Sequence, residues 1–332
     1  MTATQTTQTM QAIVQDRYGS ADVLELRDVD RPEIAADEVL VRVRAAGVDR
    51  GVWHLMTGLP YPVRLAGYGL RAPKNKVPGT DVAGVVERVG ADVTRFAPGD
   101  EVYGTAEGSF AEFARAHEDK LAPKPAALTF GQAAAVPVSA VTALQALRDQ
   151  GNVQAGQRVL VVGASGGVGT YAVQLAKALG AEVTGVCSTA KVDLVRSVGA
   201  DHVVDYSRDD FADGPTRYDL VLDIGGQSSL ARLRRALTLR GTLVIVGGES
   251  DGRCLGGSDR QIRALLLSPF VSQKLGTFVA RVTAADLLVL SELIKAGKVV
   301  PAIDRTYPLG ESAAAIRYVT DGRARGKVVV SI

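Results

Sequence analysis

VLVVGASGGVGTYAVQLAKALG, residues 159–180, decides how this chain folds. A buried apolar strand from Arg158 to Val162 runs into a glycine-rich turn. A helix follows, with Val168, Tyr171, Ala172, Leu175, Ala176 and Leu179 on one face and Gly180 as its stop. A turn of this composition lets the backbone approach a pyrophosphate, whose charge is met by free N–H groups and the positive end of the helix dipole. Laid over the dinucleotide fingerprint, Gly166 and Gly169 take the second and third glycine positions and Ala164 the first. Ser165, Gly167 and Val168 complete the loop. A tight turn without a ligand would use the same glycines, but the preceding strand, the following helix and a further βαβ unit favour a coenzyme.

The end of the second strand chooses between the two nicotinamide coenzymes. An acidic residue about 20 residues past the loop binds the ribose 2′-hydroxyl and repels a 2′-phosphate. Here the chain reads GVCSTAKVDLVRS, with Cys187 and Ser188 at the deciding place and Thr189 and Lys191 beyond. Hydroxyls and a cation suit a phosphate, so NADPH is the expected cofactor. A helix cap and a solvated lysine are the plainer explanation of the same residues.

Outward from this loop, strands alternate with helices: Glu182 to Cys187, His202 to Asp205, Asp219 to Leu222, Thr242 to Val246 and Thr277 to Ala280. That rhythm specifies an α/β Rossmann domain with a doubly wound parallel sheet, placed at residues 128–298 and opened by a helix over Thr129 to Arg148. Residues 11–127 instead carry short β-branched runs punctuated by Gly, Pro and Asp, the texture of a compact antiparallel β-rich domain. Within it, Leu59 to Pro78 forms a long Gly/Pro/Lys segment expected to act as a lid. Residues 299–332, with AIDRTYPL and GKVVVSI, read as strands returning to the first domain. Residues 1–10 read as a disordered leader.

With 332 residues, two cores are expected, since single cores stop growing beyond about 250–300 residues. A net charge of +2 gives no reason to invoke nucleic acid or a membrane surface, and no apolar run reaches the roughly 18 residues of a span. The partner is therefore expected to be a small molecule. Two cysteines, Cys187 and Cys254, cannot build a disulfide framework, and no signal peptide opens the chain; a cytoplasmic location is expected.

Several ordered motifs extend the reading: AAGVDRGVWHLMTGLPYP (residues 45–62), VPGTDVAGVVERVG (77–90), FAPGDEVYG (96–104), GSFAEFA (108–114) and GRARGKVVV (322–330). With the glycine loop they make the chain resemble the medium-chain dehydrogenase/reductase superfamily, in its zinc-free quinone-oxidoreductase-like branch. The resemblance implies a GroES-like catalytic domain built from both chain ends, an active site in the interdomain cleft, and a homodimer joined near Lys274 to Ala280. It places Thr142 near the nicotinamide ribose, Tyr206 at the adenosine end and Val246, Gly247 and Gly248 beside the nicotinamide. Arg325 and Lys327 reach the coenzyme from the last segment, or else are surface charge.

Zinc-dependent relatives carry Cys or His where this chain has Gly47-Val48-Asp49, and Gly-His-Glu where it has Gly79-Thr80-Asp81. His54, His117 and His202 are scattered, so no metal set of three ligands is expected. Where quinone oxidoreductases show Asn and, five residues on, Tyr, the chain has Asp49 and His54. His54 is the expected hydrogen-bond or proton donor, the plainer reading being that it packs or caps beside Trp53; Asp49 orients a partner or else ends a strand, and Tyr61 and Tyr68, in the expected lid, cover substrate or fill a gap. The expected reaction is hydride transfer from NADPH to a quinone or α,β-unsaturated carbonyl. The alternatives are a zinc-free alcohol dehydrogenase or aldehyde reductase, and an NADPH-binding sensor without turnover.

Overall fold

The computed structural model describes residues 8–247, 256 and 258–332. In chain order, the first half holds β1 (Thr9–Val14), β2 (Glu25–Asp30), β3 (Glu38–Val48), α1 (Arg50–Thr57), β4 (Asp81–Val89), β5 (Glu101–Thr105), β6 (Phe113–His117) and β7 (Leu121–Pro123). Then follow α2 (Phe130–Ala134), α3 (Pro137–Gln145), β8 (Arg158–Val162), α4 (Gly167–Ala178), β9 (Glu182–Cys187), α5 (Val192–Ser197), β10 (His202–Asp205) and β11 (Tyr218–Asp223). The remainder comprises α6 (Leu230–Ala236), β12 (Leu237–Ile245), α7 (Ser258–Leu267), β13 (Lys274–Thr277), α8 (Ala284–Lys295), β14 (Ile303–Pro308), α9 (Ser312–Thr320) and β15 (Lys327–Ser331).

Strands β8 to β13 form a six-stranded parallel sheet in the order β10-β9-β8-β11-β12-β13, and β1 pairs with β2. The order reverses beside β8, the point at which an open parallel sheet leaves a crevice for a ligand. A seven-stranded sheet, β14-β15-β3-β4-β5-β7 with β6 also on β3, draws on both chain ends: Val328–Ser331 lies antiparallel to Ala45–Val48. The fold is thus a Rossmann-like parallel sheet with a GroES-like β domain. One core cluster crosses the junction, running from Ala45, Ala83 and Tyr103 through α2, α3 and α4 to Leu290 on α8.

Three expectations change. Thr9 and Met10, assigned to the leader, lie in β1, where Met10 is buried, because their register continues opposite Val29 and Asp30; residues 1–7 lie outside the described residues. The single helix expected over Thr129 to Arg148 is broken: Pro137, which has no N–H to continue α2, opens α3 instead. The last parallel strand begins and ends three residues early, at Lys274–Thr277. Its partner β12 ends at Ile245, opposite Thr277, and Val246 turns its N–H to Asp223, so the apolar run beyond Thr277 has nothing to pair with.

The two sheets are tied at Tyr103, which is fully buried on β5. Its hydroxyl donates to the Leu287 carbonyl of α8 at 2.6 Å and lies 2.8 Å from Ser291 Oγ. Tyr103→Phe removes this buried hydrogen-bonded contact and is expected to lower stability by about 1 kcal/mol, a loss of a few degrees in Tm by calorimetry. An unchanged Tm would refute the tie.

Candidate active site

The glycine turn is tighter than the fingerprint alone implies. The positive φ of +89° falls on Gly163, not on Ala164, so Gly163 makes the turn while Ala164 packs fully buried under β9. The N–H groups of both donate to the Val186 carbonyl, fixing the loop to the neighbouring strand. At Gly169 a Cβ would come 2.1 Å from the Gly163 carbonyl, so α4 can start this close to β8 only without a side chain there. At Gly166 a Cβ would meet only the Gly163 carbonyl at 3.7 Å and would otherwise project into open space. With no side-chain cap on α4, the N–H groups of Gly167, Val168 and Gly169 remain donors, as in the first turn of any helix. A cradle that admits backbone and excludes side chains fits a pyrophosphate.

Around this loop lies a cleft of about 820 Å³. Ser165, Gly166, Gly167 and Val168 line it, as do Ser188, Lys191 and Tyr206 near the end of β9. Thr142, Val246 and Gly247 line it, as do Asp49 and His54 from α1 and its cap, and Lys327. Gly248 lies outside the described residues. Ala164 and Gly169 support the loop from behind rather than facing the cleft.

Other expected residues fall elsewhere. Tyr61 is not part of the cleft: it is 43% exposed and its ring stacks on Arg64, whose guanidinium also covers Tyr18. The expected lid, Leu59 to Pro78, lines no part of the cleft; Gly67, Tyr68 and Pro73 to Pro78 instead border a separate hollow of about 630 Å³. Thr189 is exposed outside the cleft and gives its hydroxyl hydrogen to Asp205 at 2.5 Å. The Arg325 side chain lies outside the cleft, and its backbone N–H is held by Asp304. Lys191 lines the cleft but spends two hydrogens on the Gly322 and Ala324 carbonyls, each at 2.7 Å, so it also fastens the final segment to this end of the cleft.

Lys327 is no surface charge. It is 1% exposed, with Nζ 3.3 Å from Asp81 Oδ2 and 3.0 Å from Ser139 Oγ. Asp81 is fully buried and accepts from Val138 N at 2.9 Å; burial pushes its carboxyl up to about 7, against the pull of the Lys327 ammonium. Ser139 was not foreseen: it sits in an Ala/Val-rich helix where a lone serine carries no signal.

His54 also differs from the donor expected. Nδ1 lies 2.8 Å from the Leu59 carbonyl, which can only accept, so Nδ1 carries hydrogen and Nε2 is the remaining site. Burial lowers its basicity, favouring the neutral ring and leaving Nε2 an acceptor. Asp49 caps α1 by accepting from Val52 N at 3.2 Å, while its Oδ2 is buried with no hydrogen-bond partner. Among the described residues, no three His, Cys, Asp or Glu groups converge as a metal site.

Comparison with known proteins agrees with this geometry. Residues 35–126 match the alcohol dehydrogenase GroES-like domain model and residues 198–330 the zinc-binding dehydrogenase model. The chain is 35% identical to the tomato (Solanum lycopersicum) 2-methylene-furan-3-one reductase, covering 94% of this chain and 76% of that protein. The chain belongs to the medium-chain dehydrogenase/reductase superfamily. Within it, the protein falls in the zinc-free quinone-oxidoreductase-like branch and is an oxidoreductase using a nicotinamide cofactor. It is also 33% identical to an NADPH-dependent alkenal/one oxidoreductase of Arabidopsis thaliana, over 97% of this chain and 79% of that protein. The quinone oxidoreductase of Coxiella burnetii superposes with a TM-score of 0.84 at 28% identity, covering 98% of this chain and all of that one. No helix of the described residues is long and apolar enough to cross a membrane.

Two outcomes follow from the loop and from Asp223, the buried end of β11. Gly166→Ala is expected to weaken coenzyme binding about tenfold or more with unchanged Tm, whereas Gly169→Ala weakens binding and also lowers Tm; calorimetry reads both. Burial raises the Asp223 carboxyl to about 6, from an ordinary value near 4. The native state therefore holds this proton more tightly than the unfolded chain, and the stability it contributes is lost as pH rises from about 4 through 6. Asp223→Asn should flatten the fall of Tm across that window; parallel Tm profiles would contradict the assignment.

Proposed function

We propose that the protein transfers hydride from NADPH to the β-carbon of a quinone or an α,β-unsaturated carbonyl without a metal ion. The observation that carries this reading is the wall of the cleft at Lys327. Its ammonium faces Asp81 and Ser139, so a fixed positive charge stands beside the carboxylate that a zinc ion would need. A second cation placed there would meet direct repulsion. The relatives' activities, an alkenal/one oxidoreductase and a quinone oxidoreductase among them, point to the same acceptors.

NADPH is favoured over NADH because β9 ends at Cys187 and is followed by Ser188, neither of them acidic, and Lys191 lies on the cleft beside them. The bound coenzyme would supply the hydride. The chain's part is to hold and orient it: the Gly167 to Gly169 N–H groups at the pyrophosphate, the Thr142 oxygen at a ribose hydroxyl, and Val246 and Gly247 against the ring. Thr142 donates its own hydrogen to the Val138 carbonyl at 2.6 Å, which leaves its oxygen an acceptor. Hydride delivered to a conjugated acceptor sends charge to an enolate oxygen, which O–H and N–H donors in a closed cleft can stabilise. His54 Nε2 orients an O–H, from water or a ribose, rather than giving up a proton itself. Pairing of two copies along β13 is part of this reading, supported by the exposed apolar residues Phe270 and Val279 flanking that edge. The cytoplasm fits the free thiol of Cys187, which survives best in reducing conditions.

Turnover of quinones and enones with NADPH, exceeding that with NADH and unaffected by a chelator, is the expected result of a steady-state panel. A preference for saturated aldehydes, or loss of activity on chelation, would overturn the reading. Lys191→Ala should raise the KM for NADPH about tenfold with little effect on that for NADH. His54→Phe should reduce kcat/KM by less than tenfold; a loss of a hundredfold or more would restore it as a proton donor.

A further inference from the structure

Arg260, on α7, joins the two strand ends that border the cleft. Its Nη1 lies 2.6 Å from Asp223 Oδ2 at the end of β11 and donates to the Ser228 carbonyl at 2.7 Å. Its Nη2 donates to the Gly247 carbonyl, just past β12, at 2.9 Å. The contact with Oδ2 is one of charge: no aligned hydrogen bond reaches that oxygen, and the guanidinium hydrogens go to the two carbonyls.

These anchor points carry the cleft wall. Ile224 and Gly225 follow Asp223, Val246 and Gly247 follow β12, and all four line the cleft. The two ends are already close, since the Val246 and Gly247 N–H groups donate to the Asp223 carbonyl, and a Cβ on Gly247 would come 2.4 Å from the Ile224 carbonyl. Arg260 supplies the restraint on the opposite side. A rigid planar fork can hold two carbonyls at a fixed separation, which the flexible stem and single ammonium of lysine cannot. As a stabilising device the arrangement is poor, because taking a guanidinium and a fully buried carboxylate out of water offsets most of their attraction. Its placement at the strand ends is what gives it a use.

We propose that Arg260 is a positioning residue for hydride transfer, fixing the Val246–Gly247 backbone as a rigid wall against which the nicotinamide ring is held. This rests on the coenzyme reading above. Arg260 touches neither coenzyme nor acceptor in this assignment; it acts through the Gly247 and Ser228 carbonyls.

The test compares Arg260→Lys, Arg260→Met and Arg260→Ala with the unaltered protein. NADPH affinity is measured by fluorescence titration. Hydride transfer is measured in single turnovers with NADPH, and with NADPH deuterated at the transferred position. The pyrophosphate and adenosine grips are untouched, so affinity should stay within about threefold while transfer slows about 10- to 100-fold and the isotope effect rises. Arg260→Lys, which keeps the charge, should remain folded and fall between the extremes, and millimolar guanidinium should recover part of the rate in Arg260→Ala. Unchanged transfer and isotope effect in Arg260→Lys and Arg260→Met would overturn the proposal. So would an equal loss of affinity and rate that guanidinium does not recover, which is the signature of general structural damage. An unaltered protein that binds no NADPH would remove the coenzyme reading itself, and this assignment with it.

Discussion

The cleft depends on one junction, where the last strand of the chain meets the glycine loop. Gly326 donates its N–H to the Ser165 carbonyl at 2.9 Å and forms a bridge with Gly166, and the next residue, Lys327, buries its ammonium between Asp81 and Ser139. Three parts of the chain converge there: the start of β4, helix α3 and the start of β15. A Cβ on Gly167 would come 3.1 Å from Lys327 Cδ and 3.3 Å from Ser139 Oγ, so the loop and the buried lysine occupy adjoining space with little to spare. The buried charge is tolerated because it faces an acid and a hydroxyl; removing Asp81 would leave an uncompensated ion in the interior.

The parallel sheet and the glycine loop were legible because they are written locally. Strand, turn and helix occupy 22 consecutive residues, and each obeys its own periodicity. What sequence could not show were the pairings between distant segments. Lys327 in GRARGKVVV looks like one of several solvated cations. Only the fold sets it against Asp81, 246 positions away in sequence. Thr189 and Lys191 read as phosphate ligands from the same local pattern, yet Asp205 and the 322–324 carbonyls claim hydrogens from both.

His54 shows a subtler limit. The residue type suggests a group that titrates near neutrality. Its behaviour is decided by the Leu59 carbonyl, five residues on, which fixes the tautomer, and by burial, which outweighs that bond and favours the neutral ring. Tyr61 fails for a related reason: an aromatic in a Gly/Pro-rich segment can cover a substrate or stack on a neighbour, and Arg64, three residues away, takes the ring. In both cases a nearby partner outcompetes the function that composition suggests.

The antiparallel pairing of β3 with β15 has a consequence for biogenesis. Val48 finds its neighbour in Val328, so while the polypeptide is emerging from the ribosome the Ala45–Val48 end of β3 lacks one of its strand partners. At about 5–20 residues per second, tens of seconds separate the synthesis of the two. During that interval the GroES-like half presents an open hydrogen-bonding edge backed by apolar residues, the feature most prone to aberrant association between chains. A fragment that stops short of residue 327 would leave that edge open for good, which is the cost of building one domain from both ends of a polypeptide.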